Sequence, residues 1–259
     1  MLGKWKIGRW VNRELSVEVS EQGGIRSLHL GSDTVQSSMK LDDPYELVLS
    51  YTRAMMAFLL FRPRPERIVM IGLGGGSLAK FVHKHLPDAR TTVIESEPKV
   101  IAIARQHFHV PADDERLEVE AAEGGDWVAA HPNCCDVLMV DGYDGREQGP
   151  GLCSEDFYAN AHAALSEEGV LVVNLWSSDT RFDAYLQRIE SVFAAVVCVP
   201  AERRGNMVVL AFRRSQGQPR WDDLRAVARS LEGLYGLEFL RFVEGLREIN
   251  PRSAARLLV

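Results

Sequence analysis

Asp141 and Asp144 lie three residues apart in Asp141-Gly142-Tyr143-Asp144, directly after the apolar run Val137-Leu138-Met139-Val140. Two carboxylates held that close bind a cation and raise one another's pKa, which prepares one of them as a general base. A further acid, Glu95, ends the run Thr91-Thr92-Val93-Ile94. An acid in that place accepts the two hydroxyls of a ribose. Glu123 follows Leu117-Glu118-Val119 and precedes Gly124, where it meets an adenine edge. Upstream, Gly72, Gly74, Gly75 and Gly76 sit in Gly72-Leu73-Gly74-Gly75-Gly76-Ser77. Glycines there let a ligand reach bare backbone and the free N–H groups of a helix start.

The elements that carry these residues follow from periodicity. Arg67-Ile68-Val69-Met70-Ile71 is β-branched and apolar, as a strand buried on both faces must be. Leu78 to Leu86 repeats apolar residues at helical spacing, and Pro87-Asp88 stops it. With the strand at 91–94 this makes a βαβ unit. Ser96-Glu97-Pro98 opens a helix to about Phe108, Leu117–Val119 is a third strand and Cys135–Val140 a fourth. Glu155–Leu165 is helical, Gly169–Asn174 is a fifth strand, and a helix from Arg181 to Phe193 follows. Val196–Pro200 and Asn206–Phe212 then pair antiparallel. The spacing from glycine loop to Glu95 also fits NAD, but parallel strands that finish in an antiparallel pair favour a ligand of the S-adenosylmethionine type.

Three parts are expected. Residues 1–40 form an N-terminal β-hairpin domain: Leu15–Val19 and Ile25–Leu30 alternate around Gly23-Gly24. Its expected role is contact within a homodimer or larger homo-oligomer. Residues 41–214 form the nucleoside-binding catalytic domain. Asp42-Asp43-Pro44 starts a helix from Tyr45 to Leu60, with Tyr51, Ala54, Met55 and Phe58 on a core-facing stripe. Tyr45 and Glu46, at the start of that helix, overlook the cleft. Residues 215–259 are a helical extension, with helices at 221–234 and 237–248.

A net charge of −6 excludes a basic nucleic-acid surface and suits a cationic small substrate. No apolar run approaches bilayer length and the N-terminus lacks a signal pattern, so a cytoplasmic protein without a membrane anchor is expected. Cys134, Cys135, Cys153 and Cys198 form no Cys-x-x-Cys pair and read as reduced thiols. The pairs His83/His85 and His107/His109 face different sides of their helices, so no metal is expected.

Asp33-Thr34-Val35-Gln36-Ser37, Tyr45, the glycine loop, Glu95, Glu123-Gly124 and Asp141-Gly142-Tyr143-Asp144 together resemble the spermidine synthase (polyamine aminopropyltransferase) family over about residues 30–212. The resemblance implies a class I methyltransferase-like, Rossmann-like α/β sheet behind a small β domain. It also implies an enzyme that moves an aminopropyl group from decarboxylated S-adenosylmethionine to an amine such as putrescine. On it, Asp141 accepts the amine proton, Tyr45 assists, and Asp144, Gln36, Glu46 and Glu202 contact the acceptor. Gly72, Gly74, Gly75, Gly76, Glu95, Glu123 and Gly124 hold the nucleoside.

Three positions depart from the family pattern. Gly75 stands where the family's glycine loop carries an acid, Phe81 where it often has glutamate, and Glu202 near a substrate-pocket tyrosine. The missing acid removes a charge-assisted hydrogen bond, commonly about 1.5–3 kcal/mol, from the donor's ammonium. Two other readings stand beside aminopropyl transfer. Gly75 leaves room for the carboxylate of S-adenosylmethionine itself, as a methyltransferase would need, and the departures also fit a nucleoside-binding protein without turnover.

Overall fold

In the computed structural model, which describes residues 5–11, 16–31, 34–142, 150–201 and 205–259, the chain forms two sheets. Strands β1 (Trp5–Val11), β2 (Ser16–Gln22), β3 (Ile25–Leu30) and β4 (Val35–Lys40) pair antiparallel in chain order. Gly23 and Gly24, with φ of 59° and 76°, turn β2 into β3. Alternation puts Val17, Val19 and Leu28 on one face, where they pack with Met39 against Ile103 and Phe108.

The second sheet uses β5 (Arg67–Ile71), β6 (Arg90–Glu95), β7 (Leu117–Ala121), β8 (Cys135–Val140), β9 (Leu165–Trp176), β10 (Ala195–Pro200) and β11 (Asn206–Phe212). Their order is β10-β11-β9-β8-β5-β6-β7. Strands β5 to β9 run parallel, and β11 and β10 close one edge antiparallel. This is the methyltransferase-like sheet that the strand and helix pattern implies. Both faces are apolar because both are covered. Ile68, Met70, Val137 and Met139 belong to one core layer, and their neighbours Val69, Ile71, Leu138 and Val140 to the other.

Helices α1 (Ser50–Met55), α2 (Ser77–His85) and α3 (Pro98–His107) lie on the first side, with α7 (Trp221–Tyr235) and α8 (Phe239–Ile249) of the tail. On the other side are α4 (Gly124–Ala130), α5 (Glu155–Ala164) and α6 (Phe182–Val192). The chain leaves β5 toward β6 and β7 on one flank and returns to β8 and β9 on the other. The crevice at β5 is therefore the topological switch point where such sheets bind ligands. Among the described residues, no helix is long and apolar enough to cross a membrane.

Strands β1 and β4 and helix α4 come in addition to the expected elements, and one expected helix differs. Residues 42–49 form a turn at 44–45 and otherwise lack regular structure, and the helix begins only at Ser50, followed by a 3₁₀ turn over Met56–Leu60. The reason is local. Asp43 Oδ1 accepts the Tyr45 N–H (3.2 Å) and the Asp43 carbonyl accepts the Glu46 N–H (3.2 Å), so Asp-Pro closes a turn instead of capping a helix.

Lys80 on α2 is fully buried, and its Nζ donates to the Phe108 carbonyl, 2.7 Å away, at the end of α3. This tie holds α3 over the glycine loop. Burial disfavours the ammonium and lowers its pKa to about 8. The unfolded lysine keeps its proton to about pH 10.4, so between these values the unfolded chain binds more protons and stability rises with pH. We predict that from pH 8 to 10.5 the unfolding free energy of wild type gains on that of Lys80→Met by on the order of 3 kcal/mol. Denaturant melts across this range check it, and a constant difference would mean that the ammonium is not desolvated.

Candidate active site

A cleft of about 740 Å³ opens where β5, β6, β7 and β8 end. Each strand end delivers one of the residues singled out by type and spacing. After β5 the chain turns through Gly72, Gly74 and Gly76, with φ of 92°, 53° and 68°, a region in which side-chain-bearing residues are strained. At Gly72 the constraint is also steric: a Cβ would lie 2.3 Å from the Asp141 carbonyl oxygen. The loop then feeds α2, whose first residue, Ser77, lines the cleft.

Glu95, at the end of β6, faces the same cleft. Its Oε2 accepts the Leu73 N–H (2.9 Å) and its Oε1 the Glu97 N–H (3.0 Å). Burial raises its pKa, and the N–H groups of Leu73, Glu97 and Gly74 oppose that rise. Glu95 thus clamps the glycine loop as well as facing the cleft. Glu123 and Gly124 line the wall after β7. Gly124 has no room for a side chain, since a Cβ would lie 2.4 Å from Ile71 Cγ2.

Asp141 follows β8, and its N–H donates to the Ile71 carbonyl (3.0 Å), so the sheet ladder fixes its backbone. Its side chain lies on the wall that the cleft shares with a second cavity of about 360 Å³. Asn174, at the end of β9, donates from Nδ2 to Asp141 Oδ1 (2.9 Å). Asn206, at the start of β11, donates to Asn174 Oδ1 (2.9 Å) and so fixes which way that amide faces. The Tyr51 hydroxyl reaches both the Gln36 carbonyl (3.1 Å) and the Asp141 carboxylate. Burial raises the Asp141 pKa, while Asn174 and Tyr51 pull it back. Burial and then the Asp141 charge push Tyr51 well above its usual value, so it remains a proton donor at neutral pH.

The structure brings Asp141, Gln36, Glu95, Glu123, Gly72, Gly74 and Gly124 to these walls. Gln36 lines both cavities, and its Nε2 is buried with no partner among the described residues. Tyr45 and Glu46 are not brought there. The Lys84 ammonium sits 5.1 Å from the centre of the Tyr45 ring, and Glu46 pairs with Lys40 Nζ at 2.6 and 2.5 Å. The cause is the late start of α1, which leaves the segment 42–46 on the outside and turns Tyr51 inward. Gly75 and Gly76 back the loop instead of lining it. A Cβ on Gly75 would lie 2.7 Å from Ser37 Oγ and 2.9 Å from Phe108 Cδ1, and one on Gly76 would lie 2.3 Å from Val110 Cγ2. Asp33, Tyr143, Asp144 and Glu202 lie outside the described residues.

Tyr51, Asn174 and Asn206 escaped the sequence reading, although each carried a signal. Asn174 ends the apolar run Val170–Val173 and is 2% exposed. A buried amide needs partners, and a Tyr in a core stripe needs one for its hydroxyl.

Known proteins match this arrangement. The family model described as spermine/spermidine synthase domain matches residues 48–216. A polyamine aminopropyltransferase of Chromobacterium violaceum is 47% identical over 244 residues, 94% of each chain. One of Neisseria meningitidis serogroup A is 46% identical over 239 residues, 92% of this chain and 91% of its own. A solved spermidine synthase in complex with the transition state analogue AdoDATO shares the fold at a TM-score of 0.67 and 22% identity, over 80% of this chain and 73% of its own. By the extent of these matches, the chain belongs to the spermine/spermidine synthase family.

Proposed function

We propose that this polyamine aminopropyltransferase binds decarboxylated S-adenosylmethionine in the larger cavity and a diamine of the putrescine class in the smaller one, with Asp141 as the base between them. The observation that carries this reading is the position of Asp141 on the wall common to both cavities, oriented by Asn174 and Tyr51. The adenosine part of the donor fits between the glycine loop, Glu95 and Glu123-Gly124, with Glu95 toward the ribose. Gln36 Nε2 offers a donor at the junction that has no partner among the described residues.

The amine arrives as an ammonium and attacks only as a neutral nitrogen. Asp141 takes the proton, the new N–C bond forms at the carbon beside the sulfonium, and the C–S electron pair returns to sulfur. The departing thioether is neutral, so no acid catalyst is required. Burial suits Asp141 to the task, since a carboxylate with a raised pKa is a stronger base than one in water. Tyr51 and Asn174 fix its direction. Asp144 completes the reading as a second holder of the acceptor's charge.

Three outcomes are expected. Glu95→Gln replaces an oxygen by an NH₂ group that faces the Leu73 or Glu97 N–H, so methylthioadenosine binding in calorimetry weakens by about 1–3 kcal/mol. Unchanged affinity with an intact fold would take Glu95 out of the site.

Decarboxylated S-adenosylmethionine should bind more tightly than S-adenosylmethionine, because ionised Asp141 at the cavity junction repels a carboxylate. A preference for S-adenosylmethionine would move the reading to methyl transfer.

Asp141→Asn should lower amine-dependent release of methylthioadenosine by about 10²–10⁴-fold while nucleoside affinity changes far less. It should also be no less stable at pH 7. A carboxyl whose folded pKa is raised destabilises the fold above that pKa, and this penalty is absent below the unfolded value. Near-normal turnover would remove Asp141 from the mechanism.

A further inference from the structure

Helix α8 is fastened at its start to a residue that lines the smaller cavity and at its end to β10, although it lies beyond the residues 48–216 that the family model matches. At its start, Glu238 Oε1 accepts from Arg53 Nε at 2.9 Å. Arg53 lies on α1 and lines the smaller cavity. Its Nη1 donates to the Val48 carbonyl (2.7 Å) and the Leu47 carbonyl (3.3 Å). Residues 47–49 lack regular structure, α1 has no side-chain cap, and Val48 and Leu49 both line the cavity. The guanidinium therefore ties the Leu47 and Val48 carbonyls of this wall to α1, beside the bond from Thr52 Oγ1 to the Leu49 carbonyl (2.7 Å), and Glu238 pairs with the guanidinium.

At the other end of α8, the buried Asn250 accepts the Cys198 N–H at Oδ1 (2.7 Å) and donates to the Cys198 carbonyl from Nδ2 (2.8 Å). The amide does for β10 what a further strand would do. Gly245 of α8 lies under Pro200, where a Cβ would meet the ring at 3.0 Å. Pro200 pairs with Met207, next to the cavity residue Asn206. One helix thus contacts the cavity residue Arg53 directly and packs on β10, the neighbour of the strand that carries Asn206.

We propose that Glu238 is a positioning residue for the acceptor amine, acting through Arg53. The inference rests on the smaller cavity being the acceptor compartment. Two effects follow from losing the Glu238 charge. Arg53 releases the carbonyls of Leu47 and Val48, and an unpaired cation is added to a compartment that must take a cationic substrate. Both act on the amine and neither reaches the adenosine cleft.

The test is steady-state kinetics of the full chain with putrescine as the amine, alongside methylthioadenosine affinity and thermal melting. Glu238→Gln should raise KM for putrescine about tenfold, with donor KM and methylthioadenosine affinity unchanged, and Glu238→Asp should restore part of the loss. Glu244→Gln removes another α8 carboxylate, paired with Arg225 at 2.9 Å, and should change none of these. Asn206→Ala reports separately on the compartment itself. If Asn206→Ala raises the putrescine KM and Glu238→Gln does not, the inference fails and the assignment of the cavity stands. If neither raises it, both fail. Equal losses for donor and amine in Glu238→Gln would show a purely structural role and overturn the proposal.

Discussion

The site depends on one crossing of backbone. The N–H of Asp141 reaches back to the Ile71 carbonyl, and the Asp141 carbonyl lies where a side chain of residue 72 would be. The ends of β5 and β8 can approach this closely only because Gly72 has no Cβ and adopts a φ of 92°. The same contact aims the glycine loop toward the nucleoside space and Asp141 toward the wall between the cavities. The positions of the glycine loop and of Asp141 are therefore set by one geometric fact, and neither can drift without the other.

Around that crossing the protein accepts buried polarity. Asn206, Asn174, Asp141, Tyr51 and Gln36 form a connected set of amides, carboxylate and hydroxyl at the edge of a sheet whose other residues are mostly apolar. Low polarity strengthens each hydrogen bond in the set, and the same property makes an unmatched member costly. Gln36 Nε2 is such a member, buried with no acceptor among the described residues.

How much of this was legible depends on the kind of signal. The βαβ unit, the parallel strands and the closing antiparallel pair follow from apolar runs whose length and punctuation suit only strands and helices, and Arg67–Ile71 and Cys135–Val140 form strands in the structure. Glu95 and Asp141 were legible as acids at strand ends, a position that fixes the place without knowledge of tertiary contacts. Tyr45 and Tyr51 were not separable in this way. Asp43-Pro44 satisfies the local rules for a helix start and for a turn equally well, and a side-chain bond from Asp43 to Tyr45 decides between them. The delay of the helix start from Tyr45 to Ser50 exchanges which tyrosine faces the cavity. Asn174 and Asn206 interact across two strands, so their role exists only once β9 and β11 are paired.

The departure at Gly75 belongs to the contact between the two sheets. Ser37 of β4 presses on the loop at that residue, with its Oγ 3.2 Å from Ser77 Oγ, and Ser77 in turn reaches the Ser38 carbonyl at 3.3 Å. A carboxylate at position 75 would need the volume that Ser37 and Phe108 fill. Moving Ser37 would move Gln36 beside it, and Gln36 lines both cavities. Glycine at position 75 and the close seating of β4 are thus one structural choice, which leaves a wall, anchored in the small sheet, on which Gln36 is held where the two cavities meet.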